Sequence, residues 1–114
     1  MPAIAPRLTA AKLDRLVRDL GGQSAVAEIL GVHRSRISRW LAGEAPDAGH
    51  QARLDGLEFV LARLLQTFRP ETTLKWLTGV NAHLGDRRPV DLIGRNRIAE
   101  VIAAVEQADV DSYA

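Results

Sequence analysis

Between His33 and Arg39 the sequence places one histidine, three arginines and two serines within seven positions, HRSRISR. A guanidinium carries five N–H donors in a rigid fork and keeps its charge at any physiological pH, and a hydroxyl both donates and accepts. Such a grouping suits the recognition of a polyanion rather than the making or breaking of bonds. Catalytic groupings are missing elsewhere. His33, His50 and His83 lie far apart with no His-x-x-x-His or Glu-x-x-His pair, there is no cysteine, and neither a Gly-rich phosphate loop ending in Lys-Ser/Thr nor a nucleophile elbow occurs. Asp47 and His50 can share a helix face, but the start of a helix accounts for them. The chain is therefore read as a non-enzyme with no cofactor and no metal.

The charge is unevenly spread. Overall the formal net charge is only +1, yet residues 1–43 hold seven Lys/Arg against three Asp/Glu, a net of +4, and residues 44–114 hold eight against eleven, a net of −3. A basic front with an acidic back implies two kinds of partner surface on one chain. With 114 residues, 46% of them hydrophobic and 25% charged, the composition is that of an ordinary folded domain. The absence of cysteine and of long apolar runs, and a start (MPAIAPRLTA) unlike a secretory leader, fit a cytoplasmic protein with no membrane segment.

The elements that must hold the arginines follow from hydrophobic spacing. Thr9 is a candidate N-cap for a first helix with Leu13, Leu16, Val17 and Leu20 on one face, ended by Gly21 and Gly22. A second helix spans about Gln23 to Leu30, Gly31 supplies the left-handed exit, and a third runs from about Arg34 to Ala42. A longer helix over about residues 49–68 carries Leu54, Leu57, Val60, Leu61, Leu64, Leu65 and Phe68; it reads as bundle core rather than a coiled-coil seam, since the pattern lasts two heptads. Pro70 either stops the long helix or opens the next one, Pro89 is placed to open another short helix, and Ile98, Val101, Ile102 and Val105 mark a last one, leaving residues 110–114 as a free tail. No alternating strand pattern appears, so the fold class is all-α.

Residues 23–40, QSAVAEILGVHRSRISRW, meet the steric demands of two helices crossing at a tight turn. Ala27 is small where the helices approach, Gly31 makes the turn, Val32 plugs the core beside it, and Ile37 and Trp40 anchor the second helix three residues apart. The stretch resembles the helix-turn-helix family. What that resemblance implies is that Gln23 and Ser24 sit at a helix N-terminus able to hold a phosphate, and that His33, Arg34, Ser35, Arg36, Ser38, Arg39 and Ala42 lie along a recognition helix facing operator DNA. Paired half-sites then favour a homodimer.

The segment WLTGVNAHLGDRRPVDLIG needs a separate explanation. Trp76, Leu77, Asn81, Leu84, Gly85, Pro89, Asp91 and Leu92 resemble the toxin-binding domain of Xre/MbcA/ParS antitoxins, and the order of helix-turn-helix, long helix and this segment is similar to that family's layout over about ninety residues. The resemblance implies an N-terminal head over residues 1–48, a connecting helix over 49–69 and a toxin-binding domain over 70–114. It implies as partner a RES-domain toxin that consumes NAD, blocked at its active site by the C-terminal tail. The residues expected to meet it are Trp76, Asn81, Arg87, Arg88, Asp109, Asp111, Ser112, Tyr113 and Ala114. An acidic tail tipped with an aromatic ring suits a cleft that holds an anionic, ring-bearing nucleotide. Trp76 reads equally as a core-edge residue. Two alternatives stay open: a stand-alone regulator whose C-terminal helices dimerise or bind a small ligand, and a toxin-binding protein whose helix-turn-helix is only scaffold.

Overall fold

The structure, a computed structural model, describes residues 4–113 and the side chains of 8–113. Among the described residues seven helices follow one another: α1 (Ile4–Leu20), α2 (Gln23–Leu30), α3 (Arg34–Leu41), α4 (Ala48–Thr67), α5 (Pro70–Thr78), α6 (Pro89–Gly94) and α7 (Ile98–Asp111), with a 3-10 turn at Ala82–Leu84 between α5 and α6. No strand occurs among the described residues; the chain is all-helical, and its β pairing there is limited to an isolated antiparallel bridge from Asn81 to Arg87.

Each helix buries the face its spacing predicts. Leu13, Leu16 and Leu20 of α1, Val26, Ala27, Ile29 and Leu30 of α2, Ile37 and Trp40 of α3, and Leu54, Leu57, Val60, Leu61 and Leu64 of α4 all lie in the core. Leu77 of α5, Val90, Leu92 and Ile93 of α6, and Val101, Ala104 and Val105 of α7 join the same cluster of buried side chains. Pro70 and Pro89 stand in the first turns of α5 and α6, where a missing N–H costs nothing.

Packing between α4 and α7 is set by one residue. Gly56 is buried in α4, and a Cβ there would stand 2.6 Å from Ile98 Cγ1 and run into Cδ1 as well. Ile98 therefore seats directly on α4 backbone. Further along, the Thr67 hydroxyl donates to the Asp109 carboxylate, tying the C-terminal ends of the same two helices. Because residues 56 and 98, then 67 and 109, meet in that order, α4 and α7 run side by side in the same direction.

Two expectations about helix ends are corrected. Thr9 is not an N-cap: α1 begins at Ile4, and the buried Thr9 hydroxyl donates across the core edge to Gln51 Oε1 at 3.1 Å. Pro6 lies within the first turn of α1, where its missing N–H is tolerated. Residues 110–113 are not a free tail throughout. Helix α7 continues through Asp111, the Ser112 N–H bonds to Ala108 O at 3.1 Å, the Ser112 hydroxyl donates to Asp109 O at 2.7 Å, and the Tyr113 N–H donates to Val110 O at 3.1 Å. Ala114 lies outside the described residues.

Candidate nucleic-acid interface and C-terminal binding end

Helices α2 and α3 form the predicted turn. Gly31 adopts φ 70° and ψ 34°, the left-handed conformation open to a residue without a Cβ, and its N–H and that of Val32 reach back to the last carbonyls of α2, Val32 to Ala27 O at 2.9 Å. His33 then caps α3: its Nδ1 accepts the Ser35 N–H at 3.1 Å, and the Ser35 hydroxyl lies 2.9 Å from the same nitrogen. Accepting that bond requires an unprotonated Nδ1. Ile37 and Trp40 bury one side of α3, which leaves Arg34, Ser35, Ser38, Arg39 and Ala42 exposed on the other.

Gln23 and Ser24 stand in the first turn of α2, and Gln23 Oε1 accepts the Ser38 hydroxyl at 2.8 Å, joining α2 to the exposed side of α3. Arg34 and Arg36 make no ion pair among the described residues, and Arg36 is half-buried. Arg39 lies 3.7 Å from Glu44. The geometry offers an exposed helix with two serines, two arginines and an adjoining helix N-terminus, which is what contact with a phosphate backbone and base edges requires.

Beyond α3 the chain turns into α4 through a pair noted in the sequence only as a helix start. Asp47 caps α4 by accepting the His50 N–H at 2.9 Å, and its second oxygen lies 2.8 Å from His50 Nδ1. These bonds hold the Asp47 carboxyl below the ordinary carboxylate range, the backbone bond first. The His50 ring packs on Trp40 with centroids 5.5 Å apart.

At the other end, several residues expected to meet a partner have internal roles. Trp76 is half-buried against the core. The Asn81 side chain accepts the His83 N–H at 2.9 Å to cap the 3-10 turn. Arg87 donates to Leu84 O at 2.7 Å and lies 3.6 Å from Glu100. Arg88 makes two hydrogen bonds to Asp91, at 3.0 and 2.8 Å, and these hold the Asp91 carboxyl low and push the Arg88 guanidinium up. Asp109 accepts from Thr67.

The remaining candidates are displayed outward. Asp111 accepts from Gln107 at 2.9 Å and lies 3.7 Å from His83 Nε2, and Tyr113 is 82% exposed. Two residues not singled out in the sequence accompany them: Val80 is 73% and Val110 63% exposed, apolar side chains with nothing packed over them. Their exposure left no trace in the sequence, since a valine beside a polar turn is as often buried.

Among the described residues no group of three or more His, Cys, Asp or Glu could hold a metal, and no helix is long and apolar enough to cross a membrane. No protein-family model matches the sequence, nor does any curated protein. In fold, the chain is similar to a chain in the crystal structure of the M. tuberculosis MbcT-MbcA toxin-antitoxin complex, with a TM-score of 0.72 and 23% identity over 85% of this chain and 89% of that one. The likeness spans most of both chains, so the overall fold is shared over that matched part.

Proposed function

We propose that this chain is an antitoxin that binds and neutralises a toxin through its C-terminal end. The observation that carries the reading is the near full-length likeness of fold to a chain from a toxin-antitoxin complex. It is supported by an exposed end of α7 that offers Tyr113, Val110 and the Asp111 carboxylate together.

In this reading residues 1–48 are a DNA-facing head, 49–69 a connecting helix and 70–114 the toxin-binding unit. The partner is a RES-domain enzyme that consumes NAD. Tyr113 supplies a stacking ring and Asp111 supplies negative charge, so the end of α7 competes for a cleft made for an anionic, ring-bearing nucleotide. Asp109 holds that end to α4 and Ser112 closes its last turn, while Trp76, Asn81, Arg87 and Arg88 present the rest of the toxin-facing surface. The α2–α3 pair, presented by a cytoplasmic homodimer, binds operator DNA and represses the chain's own operon.

A stand-alone regulator is the second reading. It is favoured by a cavity of about 450 Å³ between α2, α5 and α6, with Leu20, Ile29, Leu74 and Val90 among its lining residues, a volume suited to a small ligand. Affinity purification of the tagged intact chain from its source organism separates the two. The antitoxin reading expects a stoichiometric partner that degrades NAD once released. Recovery of the chain with DNA alone would leave the regulator.

A further inference from the structure

Two of the three arginines of α3, Arg36 and Arg39, do not stand free of negative charge. Arg36, Arg39, Trp40, Glu44 and Asp47 line one recess of about 340 Å³ beside the exposed edge of α3. Glu44 is held there by its backbone, whose N–H donates to Arg39 O at 3.0 Å, and its carboxylate lies 3.7 Å from Arg39 Nε. Asp47 cannot swing away, because both its oxygens engage His50 and the His50 ring rests on Trp40. It lines the same recess as the half-buried Arg36, which makes no closer ion pair among the described residues.

From these contacts we propose that Glu44 and Asp47 are built-in counter-ions for Arg39 and Arg36, which hold the affinity of α3 for DNA phosphates below what its arginines alone would give. The proposal rests on the DNA-binding reading of α3.

Two physical arguments favour competition over support. A carboxylate just past the C-terminus of a helix opposes the helix dipole, so helix stability gives no reason for Glu44 to be there. A carboxylate that aims an arginine at a base holds it with two hydrogen bonds, as Asp91 holds Arg88 at 3.0 and 2.8 Å. The Arg39–Glu44 contact is a single, longer approach with no hydrogen bond, which neutralises charge without fixing direction. The consequence is a head whose non-specific affinity is restrained, so that a larger share of its binding depends on the correct site.

The test uses the full chain and a random-sequence 30-base-pair duplex, with binding measured across a salt series. Glu44→Gln is expected to bind more tightly, with a slope of log K against log salt steeper by about 0.9, because one more phosphate contact releases its counter-ion. At 0.1 M salt a contact of that kind is worth up to about eightfold. Asp47→Asn, which keeps the capping oxygen, is expected to shift affinity and slope in the same direction; the thermal melt of Glu44→Gln should match the parent chain, while Asp47→Asn, which loses the carboxylate's second bond to His50, should melt somewhat lower yet remain folded. Unchanged or weaker binding by Glu44→Gln, with the parent chain binding normally, would overturn the counter-ion role and leave the DNA reading intact. If neither parent nor variants bind duplex DNA at low salt, the DNA reading falls and the proposal with it.

Discussion

The Ser38 hydroxyl donates a 2.8 Å hydrogen bond to Gln23 Oε1, so the first turn of α2 and the middle of α3 are joined on the same exposed edge that carries Arg34 and Arg39. A neutral amide and a guanidinium then make different contributions to DNA binding. Gln23→Ala should weaken binding to any duplex with the salt slope unchanged, because a neutral group releases no counter-ion. Arg34→Ala should weaken it with a slope lower by about 0.9. A salt series on both variants checks the contrast, and equal slopes for all three proteins would contradict it.

His33 is an unusual residue to cap a helix, and the cap depends on its ring nitrogen accepting the Ser35 N–H. His33→Ala should lower the unfolding free energy by about 1 kcal/mol, the usual cost of losing a side-chain cap, and His33→Asn should restore most of it. Urea denaturation at neutral pH measures both. No difference between the two variants would mean the cap contributes nothing.

Gly56 leaves no room for a side chain where Ile98 packs on α4. Alanine gains about 1 kcal/mol over glycine in a helix interior, yet Gly56→Ala should destabilise the protein by about 1–3 kcal/mol because its methyl group meets Ile98. Shortening the neighbour in Gly56→Ala/Ile98→Ala should recover part of that loss, so the two changes should be non-additive in a double-mutant cycle of urea melts.

What the sequence revealed and what it hid divide along the distance over which the interactions act. The α2–α3 turn was legible because its constraints fall on Ala27, Gly31, Val32, Ile37 and Trp40 within a short stretch, each with a local steric reason. The leucine stripe of α4 was legible by period. The Thr9–Gln51 and Thr67–Asp109 bonds each join residues 42 positions apart, and no local pattern marks such partners. By the resemblance Arg87 and Arg88 are expected to meet a partner, and their engagement by Leu84 O, Glu100 and Asp91 appears only once the 81–91 segment is folded. The counter-ion Glu44 was hidden in the same way, as an ordinary loop residue.

Stability should fall in acid through identifiable carboxylates. Asp47 and Asp91 are both held below the ordinary carboxylate value, Asp47 by its bonds to His50 and Asp91 by its bonds to Arg88. A group whose pKa is depressed on folding stabilises the folded state above its unfolded pKa, and that contribution is lost as pH falls through the folded value. Asp91→Asn should therefore be less stable than the parent at pH 7, and the two should converge as pH falls below about 4, the unperturbed aspartate value. Thermal melts from pH 7 to pH 2 follow the convergence, and a constant gap across that range would contradict it.

The central claim concerns the end of α7, and a chain ending at Asp109 tests it most directly. That truncation keeps the Thr67–Asp109 bond and every core residue of α7 while removing Val110, Asp111, Ser112, Tyr113 and Ala114. The measurement is growth and NAD content of cells expressing the co-purified partner with either the intact or the shortened chain. The account predicts that the intact chain restores both, while the shortened chain restores neither and still binds duplex DNA. Full rescue by the shortened chain would contradict it and move the neutralising surface away from the C-terminal end.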